Sequence, residues 1–216
     1  MEKLFSKRLI PVAVLKEPDT ALALAEAILA GGLDVIEITF RTPNAAACID
    51  RIRRALPTMT VGAGTLLEVE QVRSALGAGA RFGVAPGTNP KVILEAMDLG
   101  LPFIPGVMTA SEVEQSLELG CKLLKFFPAE AAGGVKMLRA LSGPFAHTGV
   151  KFMPSGGISM ANMGDYLALP CVAMIGGSWL AEEKLIAEKN WKKVTELTAQ
   201  SLARSVEASE CENVRA

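Results

Sequence analysis

Histidine and tyrosine each occur once in these 216 residues, tryptophan twice, and aromatic side chains make up only 5% of the chain. With so little histidine there is no His/Asp/Glu cluster for a metal centre, and the lone His147, between Ala146 and Thr148, reads as a surface loop residue. Cysteine is scarce as well. Cys48, Cys121, Cys171 and Cys211 are far apart and form no C-x-x-C pair, which argues against a zinc site and a disulfide framework and suits reduced thiols. Neither sign of charge dominates: 22 Lys plus Arg face 23 Asp plus Glu with no basic or acidic block, so nucleic acid and anionic membrane surfaces are not expected partners. A small molecule is. The longest apolar stretch, ALALAEAILAGGL (21–33), contains Glu26 and falls well short of the roughly 20 residues a membrane span needs. The N-terminal Lys3, Lys7 and Arg8 precede only a short apolar run, 9–15, which ends in KEPD without a cleavage-like site. These absences together lead to the expectation of a soluble, cytoplasmic protein.

What is abundant is small and aliphatic. Half of the residues are hydrophobic, which favours a layered α/β protein whose core is built from Ala, Val, Leu and Ile. Eight β-like runs recur: LIPVAVL (9–15), DVIEITF (34–40), MTVGAG (59–64), RFGVAP (81–86), PFIPGV (102–107), CKLLKF (121–126), VKFMPS (150–155) and CVAMIGG (171–177). Between most of them lie Ala/Leu-rich stretches with helical spacing that end in glycine, such as DTALALAEAILAGG and ASEVEQSLELG. Strand and helix in alternation imply parallel pairing, and eight such units fit a closed (β/α)8 TIM barrel, although the chain is lean against the roughly 250 residues typical of that fold. An open doubly wound sheet is the competing architecture. Against it, GAGTLL (62–67) has Leu67 where a dinucleotide fingerprint needs its third glycine, and the phosphate-binding lysine loop is absent. The stretch 190–209 spaces Trp191, Val194, Leu197 and Leu202 like one helix face packed on the barrel wall. The expectation is a single domain over residues 1–216.

Barrel chemistry belongs at the C-terminal ends of strands, on residues that alternate inward. In DVIEITFRT that alternation puts Ile36, Ile38 and Phe40 toward the helices and Glu37, Thr39 and Arg41 inward. An acid and a guanidinium there must pair or bind something, and an internal Glu37–Arg41 salt bridge without catalytic purpose is the bland alternative. In CKLLKFFPAE, Lys125 lies near the strand's end on the same face as Leu123. A lysine in apolar company loses the hydration that favours its ammonium form, and the neutral amine that attacks carbonyls gains. A snorkelling surface lysine is the alternative. Thr65, ending GAGT, could bond a substrate carboxylate or simply cap a helix. The glycine-rich turns SGGIS (155–159) and GGS (176–178) follow the seventh and eighth runs, where barrels that take phosphorylated substrates hold the phosphate, though tight turns that only cap helices would look alike.

The segments EITFRTPNA (37–45), GAGT (62–65), APG (85–87), PGVMTASE (105–112), KFFPAE (125–130), PSGGIS (154–159) and GGSWLA (176–181) resemble the 2-keto-3-deoxy-6-phosphogluconate (KDPG) and 4-hydroxy-2-oxoglutarate (KHG) aldolase family from about residue 9 to 207. The resemblance implies a class I, Schiff-base aldolase on a (β/α)8 barrel, homotrimeric in its best-known members, with no cofactor and no metal. Carried over by motif, it makes Lys125 the Schiff-base lysine and Glu37 the general acid/base. Arg41 and Thr65 would hold the carboxylate and keto oxygen. Pro86 and Phe127 look like pocket walls, and Ser155, Gly156, Gly157, Gly177 and Ser178 like the phosphate site, Ser155 standing where many members carry threonine. The expected substrate is KDPG, cleaved to pyruvate and glyceraldehyde 3-phosphate.

Three readings compete with this one. The galactonate epimer, or chiefly 4-hydroxy-2-oxoglutarate, would use the same lysine. A phosphate-binding isomerase or decarboxylase would use strand-end carboxylates without an imine. A non-catalytic barrel would leave the inward charged set unexplained.

Overall fold

The computed structural model describes residues 6–213, so Lys3 and the side chain of Cys211 lie outside the described residues. Every apolar run but PFIPGV becomes a single parallel strand, and helices form between them: β1 (Leu9–Ala13), α1 (Pro18–Ala30), β2 (Val35–Thr39), α2 (Ala45–Ala55), β3 (Thr60–Gly64), α3 (Val69–Gly77), β4 (Phe82–Val84) and α4 (Pro90–Asp98). Then follow β5 (Phe103–Ile104), β6 (Gly106–Val107), α5 (Ala110–Glu118), β7 (Leu123–Phe126), α6 (Gly134–Ser142), a 3-10 segment (Gly143–Thr148), β8 (Lys151–Pro154), α7 (Met163–Leu167), β9 (Ile175–Gly177), α8 (Glu183–Ala187) and α9 (Trp191–Asn213).

Helix boundaries follow local chemistry. Pro18 and Pro90 open α1 and α4, where a missing N–H costs nothing, and Asn89 caps α4 by accepting from Lys91 N–H at 3.1 Å. At α5, Thr109 and Glu112 form a reciprocal capping box: Glu112 Oε2 accepts from the N–H groups of Met108 and Thr109, each at 2.8 Å. Burial alone would raise the Glu112 pKa, but these bonds and one from the Thr109 hydroxyl outweigh it and hold the carboxyl below its ordinary value. No helix among the described residues is long and apolar enough to cross a membrane.

The strands form two parallel sheets, one ordered β5-β4-β3-β2-β1-β9 and the other β6-β7-β8. The run PFIPGV, expected as one strand, is two, because Pro105 has no N–H for the ladder. Its carbonyl still accepts from Lys125 N–H at 2.8 Å. Isolated parallel bridges, Phe152 with Val172 and Ser155 with Gly176, connect the end of the smaller sheet to the β9 region. Helices sheathe the strands, and the interior is the expected aliphatic one, with Leu9, Ile10, Ile36, Ile38, Phe82, Phe126 and Phe152 fully buried. Helix α9 lies across the C-terminal end of α1, where Thr195 Oγ1 donates to Ala27 O at 2.9 Å. Its inner face is more polar than its hydrophobic spacing suggests: Val194 is buried beside Thr198, Ser201 and Ser205.

Candidate active site

Strand β2 carries Glu37 at its centre and β7 carries Lys125 one residue before its end. Alternation turns both side chains away from the helices, and both are buried, Glu37 at 0% exposure and Lys125 at 5%. Lys125 Nζ stands 3.8 Å from Glu37 Oε1 and 5.1 Å from the centroid of the Phe127 ring, over its face. Two residues far apart in sequence are thus brought side by side in the interior.

The carboxylate is the telling group. Neither Oε1 nor Oε2 of Glu37 accepts a hydrogen bond from any described residue. A buried ion costs several kcal/mol in desolvation even after the protein relaxes, and a lone ion pair longer than a hydrogen bond recovers little of that. The position of the carboxylate also depends on a neighbour: a Cβ built on Gly64 would lie 2.0 Å from Glu37 Oε1 and 2.7 Å from Cδ. The glycine at the end of β3 vacates the volume that the carboxylate fills. By contrast, Thr39, on the same inward parity, is accounted for structurally, since its Oγ1 donates to Ala13 O at 3.1 Å.

The other expected residues follow the C-terminal ends of their strands. Strand β2 stops at Thr39, so alternation no longer dictates the direction of Arg41, which is exposed in the following turn. The bland Glu37–Arg41 salt bridge is not formed; the ion pair of Glu37 is to Lys125. Thr65 follows β3 with φ 59°, a left-handed conformation that a β-branched residue adopts at a cost of about 1–3 kcal/mol. It is not a helix cap, for α3 is capped at Glu68. Pro86, half-buried, follows β4, where its carbonyl backs onto Gly106: a Cβ there would come within 2.2 Å of Pro86 O. The two glycine turns adjoin through the Ser155–Gly176 bridge, with Ser155 buried, Gly156 partly open, and Gly157 and Ser178 exposed. His147 is exposed in the 3-10 segment, as expected.

Two supports behind the turns escaped sequence reasoning. The ring of Trp179 lies against Gly177, where a Cβ would sit 1.6 Å from it, and its Nε1–H donates to Ser201 Oγ of α9 at 3.1 Å. Glu130, at the end of KFFPAE, accepts a hydrogen bond from the buried Tyr166 hydroxyl. The triplet GGS and the motif glutamate were visible, but nothing in their spacing names Ser201 or Tyr166 as partners. A cavity of about 660 Å³ lies elsewhere, at the strand beginnings among Arg8, Phe103, Leu123, Lys151 and Met174, and none of the candidate residues lines it.

A buried lysine near the end of one parallel strand thus faces a buried carboxylate, from the middle of another, that accepts no hydrogen bond from the described residues. The model of the "KDPG and KHG aldolase" family matches residues 1–197. The chain belongs to that family. It is 44% identical over 200 residues to 2-dehydro-3-deoxy-phosphogluconate aldolase of Haemophilus influenzae, covering 93% of each chain. Among solved structures, it resembles KDPG aldolase from Legionella pneumophila, with pyruvate captured at low pH as a covalent carbinolamine, at 43% identity and TM-score 0.87 over 92% of this chain and 96% of that one. It also resembles the 2-keto-3-deoxy-6-phosphogluconate aldolase of Zymomonas mobilis with 3-phosphoglycerate, at 35% identity and TM-score 0.85 over 94% and 96% of the two chains.

Proposed function

We propose that this chain is a class I aldolase that cleaves KDPG to pyruvate and glyceraldehyde 3-phosphate through an imine on Lys125, and that 4-hydroxy-2-oxoglutarate is cleaved to pyruvate and glyoxylate by the same route. The observation that carries this reading is the buried Lys125–Glu37 pair, whose carboxylate takes no hydrogen bond from the described residues, in a member of this aldolase family.

The neutral Lys125 amine adds to the C2 ketone, and the former carbonyl oxygen takes up a proton to give a carbinolamine. A second proton on that oxygen lets water leave, forming the iminium. The C3–C4 bond then breaks with its electron pair moving into the iminium to form an enamine, while the C4 hydroxyl loses its proton and becomes the aldehyde of glyceraldehyde 3-phosphate. Protonation at C3 and hydrolysis of the imine release pyruvate and restore the amine. Glu37, 3.8 Å from Nζ, is the group placed to carry these protons. Arg41 and Thr65 hold the carboxylate and keto oxygen, Phe127 and Pro86 wall the pocket, and Ser155, Gly156, Gly157, Gly177 and Ser178 bind the phosphate. The left-handed Thr65 supports this, because backbone strain concentrates where function requires it.

The wider reading is a closed eight-stranded (β/α)8 barrel forming one domain, 1–216, in a cytoplasmic homotrimer that needs no metal. The isolated bridges Phe152–Val172 and Ser155–Gly176 and the single run broken at Pro105 support closure, because they join the two sheets at both edges. The test is borohydride reduction in the presence of pyruvate, followed by peptide mass spectrometry. A pyruvate-derived mass on Lys125 is expected, with retained activity in excess chelator. A label on another lysine, or cleavage at an undiminished rate by Lys125→Arg, overturns the assignment. Rates on the two C4 epimers separate the gluconate from the galactonate substrate.

A further inference from the structure

Glu130 and Tyr166 have no part in the chemistry above, yet they meet directly behind one of the glycine turns. Tyr166, on α7, is completely buried, and its hydroxyl donates to Glu130 Oε1. Burial, then the hydrogen bond and charge of Glu130, push the phenol's pKa up, so the hydroxyl stays a donor at neutral pH. Glu130 is gripped to the turn from its other side. Its N–H donates to Gly156 O at 3.1 Å, and the N–H of Ala129 donates to Ser155 O at 2.8 Å. The side chain itself is the bed on which the turn rests, for a Cβ on Gly157 would lie 2.6 Å from both Glu130 Cβ and Cγ. Gly156 and Gly157 both have positive φ, 93° and 79°, so the turn holds a shape that only its surroundings keep.

An acid beside a turn that receives an anion is a liability, since a mobile carboxylate would repel it. Tethered to a buried hydroxyl, that charge has one fixed place. We propose that Tyr166 and Glu130 form a brace that positions the Ser155–Gly157 turn for the substrate phosphate, and so sets the preference for phosphorylated over unphosphorylated keto acids without touching the reacting atoms. Both are positioning residues, and the inference rests on the phosphate reading given above.

The test compares 2-keto-3-deoxygluconate with and without its 6-phosphate on wild type, Tyr166→Phe, Glu130→Ala and Glu130→Gln. Wild type prefers the phosphorylated acid. Tyr166→Phe keeps the ring in the core and loses one hydrogen bond, so KM for the phosphorylated acid rises about three- to tenfold while kcat holds within about twofold. KM for the unphosphorylated acid stays where it was. Glu130→Ala reproduces this shift and adds little to Tyr166→Phe in the double variant, whereas Glu130→Gln, which still accepts a bond, restores the wild-type KM. Should wild type show no preference, the phosphate reading fails and the brace with it. Should wild type show the preference and Tyr166→Phe retain it in full, or lose both substrates equally, the brace alone is refuted. If Tyr166→Phe does not fold, Glu130→Ala decides, and a wild-type KM in that variant is refutation.

Discussion

Replacing Gly64 with alanine adds one methyl group, and the nearest atoms that it meets belong to Glu37. The new Cβ would lie 2.0 Å from Glu37 Oε1, 2.7 Å from Cδ and 2.8 Å from Cγ. Ordinary contact begins near 3.4 Å, so the carboxylate must retreat by more than about 1 Å, a displacement that typically costs on the order of 100-fold in rate. The backbone at Gly64 is ordinary strand and accepts alanine without conformational strain, which leaves overpacking of about 1–3 kcal/mol as the stability cost. Gly64→Ala should therefore remain folded, melt some degrees lower and lose about 100-fold in kcat/KM, read as pyruvate release from KDPG. The decisive control is the same change in a Glu37→Ala background. With the carboxylate gone the clash has no partner, so Gly64→Ala should cost almost no further activity and little stability there. Wild-type kcat/KM in Gly64→Ala, or losses that simply add in the double variant, would refute the claim that this glycine exists to seat Glu37.

Two further outcomes follow from local geometry. Thr65→Gly removes a left-handed β-branched residue and should gain about 1 kcal/mol in thermal unfolding while kcat/KM falls; an unchanged or lower melting temperature contradicts the strain. Glu112 has a folded-state pKa below its unfolded one, so the stability it contributes is present above the unfolded value and is lost as pH falls through the folded one. Denaturant unfolding at a series of acid pH values should show a shallower decline below about pH 4.3 in Glu112→Gln than in wild type, and parallel curves would contradict it.

Much of the architecture was legible because its causes are local. Period-two apolar runs became strands, and the glycine after each Ala/Leu-rich stretch became its left-handed terminus at Gly32, Gly79 and Gly120. Pro105 shows where pattern fell short: the run looks continuous by hydropathy, but one absent N–H divides it. Lys125 and Glu37 stood out in the sequence because strand parity and motif agree, and the structure buries both side chains 3.8 Å apart. Arg41 is where strand parity runs out: the last ladder bond of β2 is from Phe40 N–H to Gly64 O, and the arginine after it is exposed in the turn. Gly64 illustrates a deeper obstacle. Its importance is an empty volume filled from another strand, and no property of the glycine itself records it.

Trp179 ties the turn after β9 to Ser201, a residue of the final helix. The mouth of the sheet after β9 is thus finished by the last helix and not by the strands themselves, so loosening α9 at Ser201 should be felt at Ser178.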